Sequence, residues 1–182
     1  MLDKQIREQI IALINREVVP AVGCTEPMCV SLCVARATET LGFCPEKITV
    51  LLSSNILKNA MGVGIPGTGM IGLPIAVALG ALVGKSEYQL EVLKDLTPET
   101  LEKGKQYING NHIDIRLKSG ITEKLYVEVR CEAEGHVATA IIAHAHTNFV
   151  FVERDGVVML DNRKPAGKEA DNDDIILDMR MV

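Results

Sequence analysis

Cys24 is the residue with the clearest chemical potential in this sequence. It stands in Gly23-Cys24-Thr25-Glu26-Pro27, where a hydroxyl residue, an acid and an early proline mark a helix start. A thiol there faces unpaired backbone N–H groups and the positive end of the helix dipole, which favour the thiolate. Thiolate is the form that binds iron or attacks an electrophile. The competing reading is a small buried hydrophobe, and that reading suits Cys29 and Cys33, four residues apart on one helical face. Cys131 falls on the inward face of a strand, and Cys44 beside Pro45 has no distinguishing feature. Cys29 and Cys33 are placed to chelate in principle, but no second cysteine pair or nearby histidine completes a structural zinc set.

Three other groupings compete for a role. Gly62 to Gly72 contains two overlapping matches to the dinucleotide fingerprint, Gly62-Val63-Gly64-Ile65-Pro66-Gly67 and Gly67-Thr68-Gly69-Met70-Ile71-Gly72. Neither directly follows a strand, and the acidic residue expected about twenty positions later, Glu91, falls in a predicted helix. The loop either binds an anion through N–H groups at the next helix start or serves only tight packing. Ser53, Ser54, Asn55, Lys58 and Asn59 leave the end of a buried strand, where ligand groups are often placed; otherwise they form a solvated turn. His144 and His146, with Thr147 and Asn148, end another strand and should share one face. With no third metal ligand evident, a hydrogen-bonded structural role is preferred for that pair.

The elements that must position these residues follow from periodicity. Asp3 caps a first helix through Ile6, Ile10, Leu13 and Ile14, and Pro20 lies beyond it. A second helix runs from Thr25 to about Leu41, stopped by Gly42. Ile48 to Leu52 reads as a buried strand, Ile56 to Met61 as a helical turn, and Leu73 to Leu82 as an apolar helix ending near Gly84. Ser86 and Thr97 open two more helices, with Pro98 at the favoured first position. Beyond Gly110, Leu125, Val127, Val129 and Cys131 alternate with polar residues at a strict period of two. Strands are also expected at His112 to Leu117, Val137 to Ala145, Asn148 to Glu153 and Val157 to Leu160, with Asp155-Gly156 as a hairpin turn.

The expected class is therefore α+β: a helical first half with a buried glycine-rich loop, followed by a small antiparallel β-sheet packed with helices. Three regions are expected: residues 1–95, helical, with the cysteine motif and glycine loop; 96–162, the sheet; and 163–182, a polar tail. The tail's apolar stub, Ile175, Ile176, Leu177 and Met179, reads as the start of a further part.

Composition narrows the function classes. The 182 residues are 47% hydrophobic and 24% charged, the balance of a globular protein. A net charge of −5 without a basic tract argues against nucleic acid as a partner. Five irregularly spaced cysteines and a polar start suggest reduced thiols in a cytoplasm, without a secretory leader. The uncharged stretch from Asn59 to Gly84 is long enough to cross a bilayer, but its seven glycines and two prolines would leave backbone groups unpaired in lipid. A membrane span is therefore not expected.

Pro20-Ala21-Val22-Gly23-Cys24-Thr25-Glu26-Pro27, Lys58-Asn59-Ala60-Met61-Gly62 through Gly72, and His146-Thr147-Asn148 together resemble the L-cysteine desulfidase family, relatives of the iron–sulfur L-serine dehydratase α chain. The resemblance implies an amino-terminal part of a lyase that converts L-cysteine to pyruvate, ammonia and sulfide with a [4Fe–4S] cluster, L-serine being the nearest rival substrate. Cys24 would be one of three protein ligands, and the open iron position a Lewis acid. The other two ligands would lie in a carboxy-terminal half absent here, leaving this chain alone inactive and without its cluster. Ser54, Asn55, Asn59, Gly67, Thr68 and Gly69 would surround the substrate carboxylate or the cluster. Lys58 would be a cationic anchor or the base, with His146 the competing base. The implied partners are a small amino acid, the missing half and a further copy of the chain. A non-catalytic module that binds a small carboxylate is the alternative.

Overall fold

The computed structural model describes residues 3–18, 20–110 and 112–163. The described residues fall into two units, residues 3–18 and Pro20–Arg163. In the first, helix α1 (Lys4–Glu17) is capped by Asp3, whose carboxylate accepts the Gln5 N–H at 2.8 Å. The apolar stub at Ile175 to Met179 lies outside the described residues.

In the second unit the order is α2 (Thr25–Leu41), β1 (Lys47–Leu52), α3 (Ser54–Ala60), β2 (Gly64–Ile65), β3 (Met70–Ile71), α4 (Leu73–Leu82), a 3-10 helix (Ser86–Glu91), α5 (Pro98–Asn109), β4 (Ile113–Leu117), β5 (Tyr126–Ala133), β6 (His136–Ala143), β7 (Phe149–Arg154) and β8 (Val157–Asp161). The fold is α+β, as the pattern of elements predicts. Six strands form one sheet in the order β4-β1-β5-β6-β7-β8. Four of its neighbouring pairs are antiparallel, but β1 and β4 run parallel, from Ile48 opposite Ile113 to Leu52 opposite Leu117. The parallel pair corrects the expectation of a purely antiparallel sheet. It arises because α3 to α5 intervene between the two strands, and such a crossover returns the chain in the same direction.

Alternation in β5 places Val127, Val129, Cys131 and Ala133 in the core, while Tyr126, Glu128, Arg130 and Glu132 take the other face. Helix α2 covers the inner face. Every residue from Met28 to Ala35 is fully buried, so this helix is enclosed rather than amphipathic. The Cys33 thiol donates to the Ala140 carbonyl at 3.3 Å, and Cys131 lies 3.9 Å from the Thr38 hydroxyl. On its other side α2 meets α4 through Gly80, where an added Cβ would fall 2.7 Å from the Ser31 carbonyl oxygen. The Ser31 hydroxyl donates to the Ala76 carbonyl at 2.8 Å, satisfying a polar group inside the apolar contact.

The glycine-rich segment departs from expectation. It is a small β2–β3 hairpin, exposed at Gly64, Gly67, Gly69 and Ile71, rather than a buried irregular loop. Its turn needs positive φ at Gly67 (75°) and Gly69 (65°), and Thr68 braces it by donating to the Ile65 carbonyl at 2.7 Å and accepting from Met70 N–H at 2.9 Å. Helix formation from Ser86 is likewise limited to a 3-10 segment interrupted at Gln89, whose φ is 50°.

Both β5–β6 and β7–β8 turn through two residues with positive φ, Glu134-Gly135 and Asp155-Gly156, the backbone of a type I′ hairpin. Asp155 also accepts the Val137 N–H and meets His136 Nδ1, each at 2.8 Å. The Val137 N–H first, and His136 second, hold the Asp155 carboxyl below its ordinary range.

Two stability predictions follow from this packing. Gly80→Ala overpacks the α2–α4 contact and should lower unfolding free energy by about 1–3 kcal/mol in urea denaturation; unchanged stability would show that the helices part freely. Because the Asp155 pKa is lowered on folding, its contribution is complete above the unfolded-state value and lost as pH falls through the folded-state value. Asp155→Asn keeps the turn geometry, so its deficit relative to wild type should be present at pH 6 and disappear in strong acid.

Candidate active site

The strand directions explain how distant candidates come to one end of the sheet. Helix α2 runs alongside β5, with Cys33 beside Val127 and Thr38 beside Cys131. Its first turns, and Cys24, therefore project past the start of β5. That same end receives the last residue of β1, the end of β6 and the start of β7. Ser53 fastens it: buried to 2% exposure, its hydroxyl donates to the Lys124 carbonyl at 2.8 Å while its N–H donates to the Tyr126 carbonyl at 3.0 Å.

Cys24 is exposed at the N-cap of α2, with no side-chain capping bond. The next residues link it to two other candidate segments. Glu26 accepts from Asn59 of α3 at 3.4 Å and from Thr25 at 3.3 Å. Gly23 allows the hairpin to approach, since a Cβ there would lie 2.5 Å from Pro66 Cγ. Cys24, Asn59 and the Pro66–Gly69 turn are thus neighbours through direct contacts of the adjoining residues. Gly67 and Gly69 are exposed, whereas the Thr68 side chain is turned into the hairpin.

Ser54 and Asn55 open onto a cleft of about 320 Å³ rimmed by Lys118, Ser119, Thr122 and Lys124. Lys58 is exposed on α3. Lys118 donates to Glu128 at 2.7 Å, and Tyr126 donates to the same carboxylate oxygen at 2.6 Å. Burial, reinforced by the Glu128 charge, pushes the Tyr126 hydroxyl above its ordinary pKa. Lys118, Tyr126 and Glu128 were not singled out from sequence; only the lysine-rich turn after a strand end signalled them.

The histidines occupy a loop rather than a strand face. β6 stops at Ala143 because His144 adopts φ 72°, and Asn148 closes the turn by donating its side-chain amide to the Ala143 carbonyl at 2.9 Å. His144 is exposed and His146 half-buried, so the expected shared face is lost. Among the described residues, no hydrogen bond joins His146 to Cys24, Lys58 or Asn59.

The cysteines separate by environment. Cys29, Cys33 and Cys131 are buried, and burial raises each thiol pKa, that of Cys131 to about 12. These three remain protonated packing residues. Among the described residues no group of three His, Cys, Asp or Glu side chains could hold a metal ion. The donors described here therefore do not fit a [4Fe–4S] cluster by themselves; Cys24 offers a single thiol. No helix of the described residues is long and apolar enough to cross a membrane.

No family model matches the chain, and no solved structure matches it. It is 65% identical over 176 residues to a UPF0597 protein of Bacteroides fragilis, covering 97% of this chain and 41% of that protein. A UPF0597 protein of Phocaeicola vulgatus is 63% identical over 182 residues, covering 100% and 42% respectively. One from Oleidesulfovibrio alaskensis is 49% identical over 146 residues, 80% of this chain and 34% of the relative. The chain thus spans about two fifths of the length of these curated relatives. These matches correct the assignment to L-cysteine desulfidases as an amino-terminal part: the similar proteins bear the name UPF0597, which states no activity. Short motifs are weak guides to family because a helix start with an early proline and a tight glycine hairpin are backbone solutions that unrelated chains share. What stands in their place is close similarity, along nearly the whole chain, to UPF0597 proteins.

Proposed function

We propose that this chain supplies one side of the active site of a cytoplasmic lyase that removes the β-substituent of a small amino acid, L-cysteine before L-serine. The observation that carries this reading is the convergence of exposed Cys24, Asn59 held by Glu26, and the exposed Gly67–Gly69 turn at one end of the sheet. Asn59 and the hairpin N–H groups suit a substrate carboxylate, with exposed Lys58 as a cationic anchor. His146, half-buried on the neighbouring loop, is the base assigned to the α-proton. Ser54 and Asn55 border the approach from the adjoining cleft. In the elimination the α C–H and β C–S bonds break; water then converts the resulting enamine to pyruvate and ammonia, with sulfide released.

The reading assigns a [4Fe–4S] cluster to the whole protein, with Cys24 as one ligand and the others supplied from outside the described residues. It also assigns a second copy of the chain as a partner. A module that binds a small carboxylate without turnover is the second reading, favoured by the single exposed thiol at this end of the sheet.

The test is anaerobic reconstitution of the full-length gene product with iron and sulfide, followed by assays of iron content and of sulfide and pyruvate release. Cys24→Ala should lower turnover at least about 100-fold and reduce iron content, an effect of the size expected for lost metal assistance. Full iron loading and turnover in that variant would remove Cys24 from the site. Binding of L-cysteine or L-serine that is weakened by Asn59→Ala, without iron or turnover in the wild type, would establish the binding module instead. In the same protein, a small alkylating reagent should modify Cys24 in the folded state and reach Cys29, Cys33 and Cys131 only on unfolding; labelling of the buried three at the native rate would overturn their placement.

A further inference from the structure

Arg36 is the only charged residue between Met28 and Ala37 of the otherwise buried helix α2. Its Nε is buried, and among the described residues no hydrogen-bond acceptor reaches it. Such a group normally finds a partner, since an unsatisfied buried donor is costly and charged ones more so. The guanidinium carbon lies 5.9 Å from the centre of the Phe149 ring, a contact that does not satisfy the Nε–H.

Beside it is a cleft of about 370 Å³ lined by Arg36, Ser86, Glu87, Gln89, Thr147, Phe149 and Leu160. Its chemistry is divided. Arg36 and the Thr147 hydroxyl suit a carboxylate, Glu87 suits a cation, and Phe149 and Leu160 supply an apolar wall. The other nearby acid, Glu39, is already engaged by the Ser86 N–H at 2.7 Å and by the Ser86 hydroxyl. Glu87 is exposed and has no such partner among the described residues. The wall of the cleft is also set by strain, because Gln89 holds φ 50° and ψ −124° where the 3-10 helix is interrupted. Arg36 is twelve residues from Cys24 along α2, roughly 18 Å at 1.5 Å per residue, while Thr147 adjoins His146 of the proposed reacting residues.

We propose that this cleft binds a free α-amino acid with an apolar side chain: the carboxylate on Arg36 and Thr147, the ammonium on Glu87, the side chain against Phe149 and Leu160. Arginine is suited to the first task because its planar fork matches a carboxylate with two parallel hydrogen bonds. A plain anion would leave Glu87 opposed to it, whereas a zwitterion satisfies both signs of charge. Arg36 and Glu87, which carry the recognition, are not among the residues of the proposed reaction, so the occupant is a bound effector rather than the molecule transformed.

The experiment is calorimetric titration of the protein with L-leucine, with isovalerate, which has no ammonium, and with isoamylamine, which has no carboxylate. L-leucine should bind at least tenfold more tightly than either analogue. Arg36→Gln should weaken L-leucine at least tenfold, and Glu87→Gln, an exposed change that leaves folding intact, should erase the preference for L-leucine over isovalerate. Arg36→Lys controls for packing and should retain part of the affinity. Cys24→Ala should bind L-leucine as wild type does, which separates this site from the reading of the Cys24 region. Absence of L-leucine binding, equal affinity for leucine and isovalerate in the wild type, or unchanged binding in Arg36→Gln would each overturn the proposal.

Discussion

The enclosure of α2 is the constraint on which the rest of the structure depends. From Met28 to Ala35 the helix has no solvent-facing side, so each flank must meet another element at van der Waals distance. β5, β6 and β7 cover one flank; α4 covers another at Gly80. Where small residues face one another, backbone approaches backbone, and Ser31 converts a polar side chain into an interhelical tie by donating to Ala76. The alignment of α2 with the sheet follows from this packing, and with it the position of both its ends.

That alignment has a chemical consequence. The helix is offset along the sheet, with Cys33 beside Val127 near the start of β5, so its first turns project past the strand and carry Cys24. The contacts around it depend on the same geometry: α3 leaves β1 at the sheet end, so Asn59 reaches Glu26, and the hairpin after α3 folds back to place Pro66 on Gly23. The buried cysteines serve the opposite purpose. Low dielectric surroundings keep Cys29, Cys33 and Cys131 as thiols, leaving nucleophilic or metal-binding character to the exposed end of the helix.

Arg36 shows a different use of the same helix. A guanidinium two-thirds of the way along a buried helix reaches solvent only if neighbouring elements leave a gap, and the interrupted 3-10 helix and the β6–β7 loop together leave one. The sheet's outer face follows the ordinary rule instead: Lys118, Tyr126 and Glu128 form a compact, satisfied cluster near its edge. Polar groups on that face have found partners, while Arg36 Nε has not.

Much of the fold was legible in the sequence because it rests on local rules. The second helix and its glycine stop, the apolar helix from Leu73 to Leu82, the threonine cap before Pro98 and the alternation of β5 all depend on residues within a few positions of one another. The same holds for the exposed helix-start thiol and the buried Cys29 and Cys33. What tertiary structure alone decided is pairing across long separations. The parallel match of β1 with β4, the contact of Gly23 with Pro66, and the cleft between Arg36 and Glu87 join residues tens of positions apart. His144 marks the boundary between the two kinds of information. Its alternating pattern reads as strand, but the side-chain bond from Asn148 to Ala143 favours a turn, and hydrogen bonding overrides periodicity there. Local sequence specified the candidate groups, and packing of α2 specified which of them meet, because a buried helix admits few alignments while an isolated motif admits many.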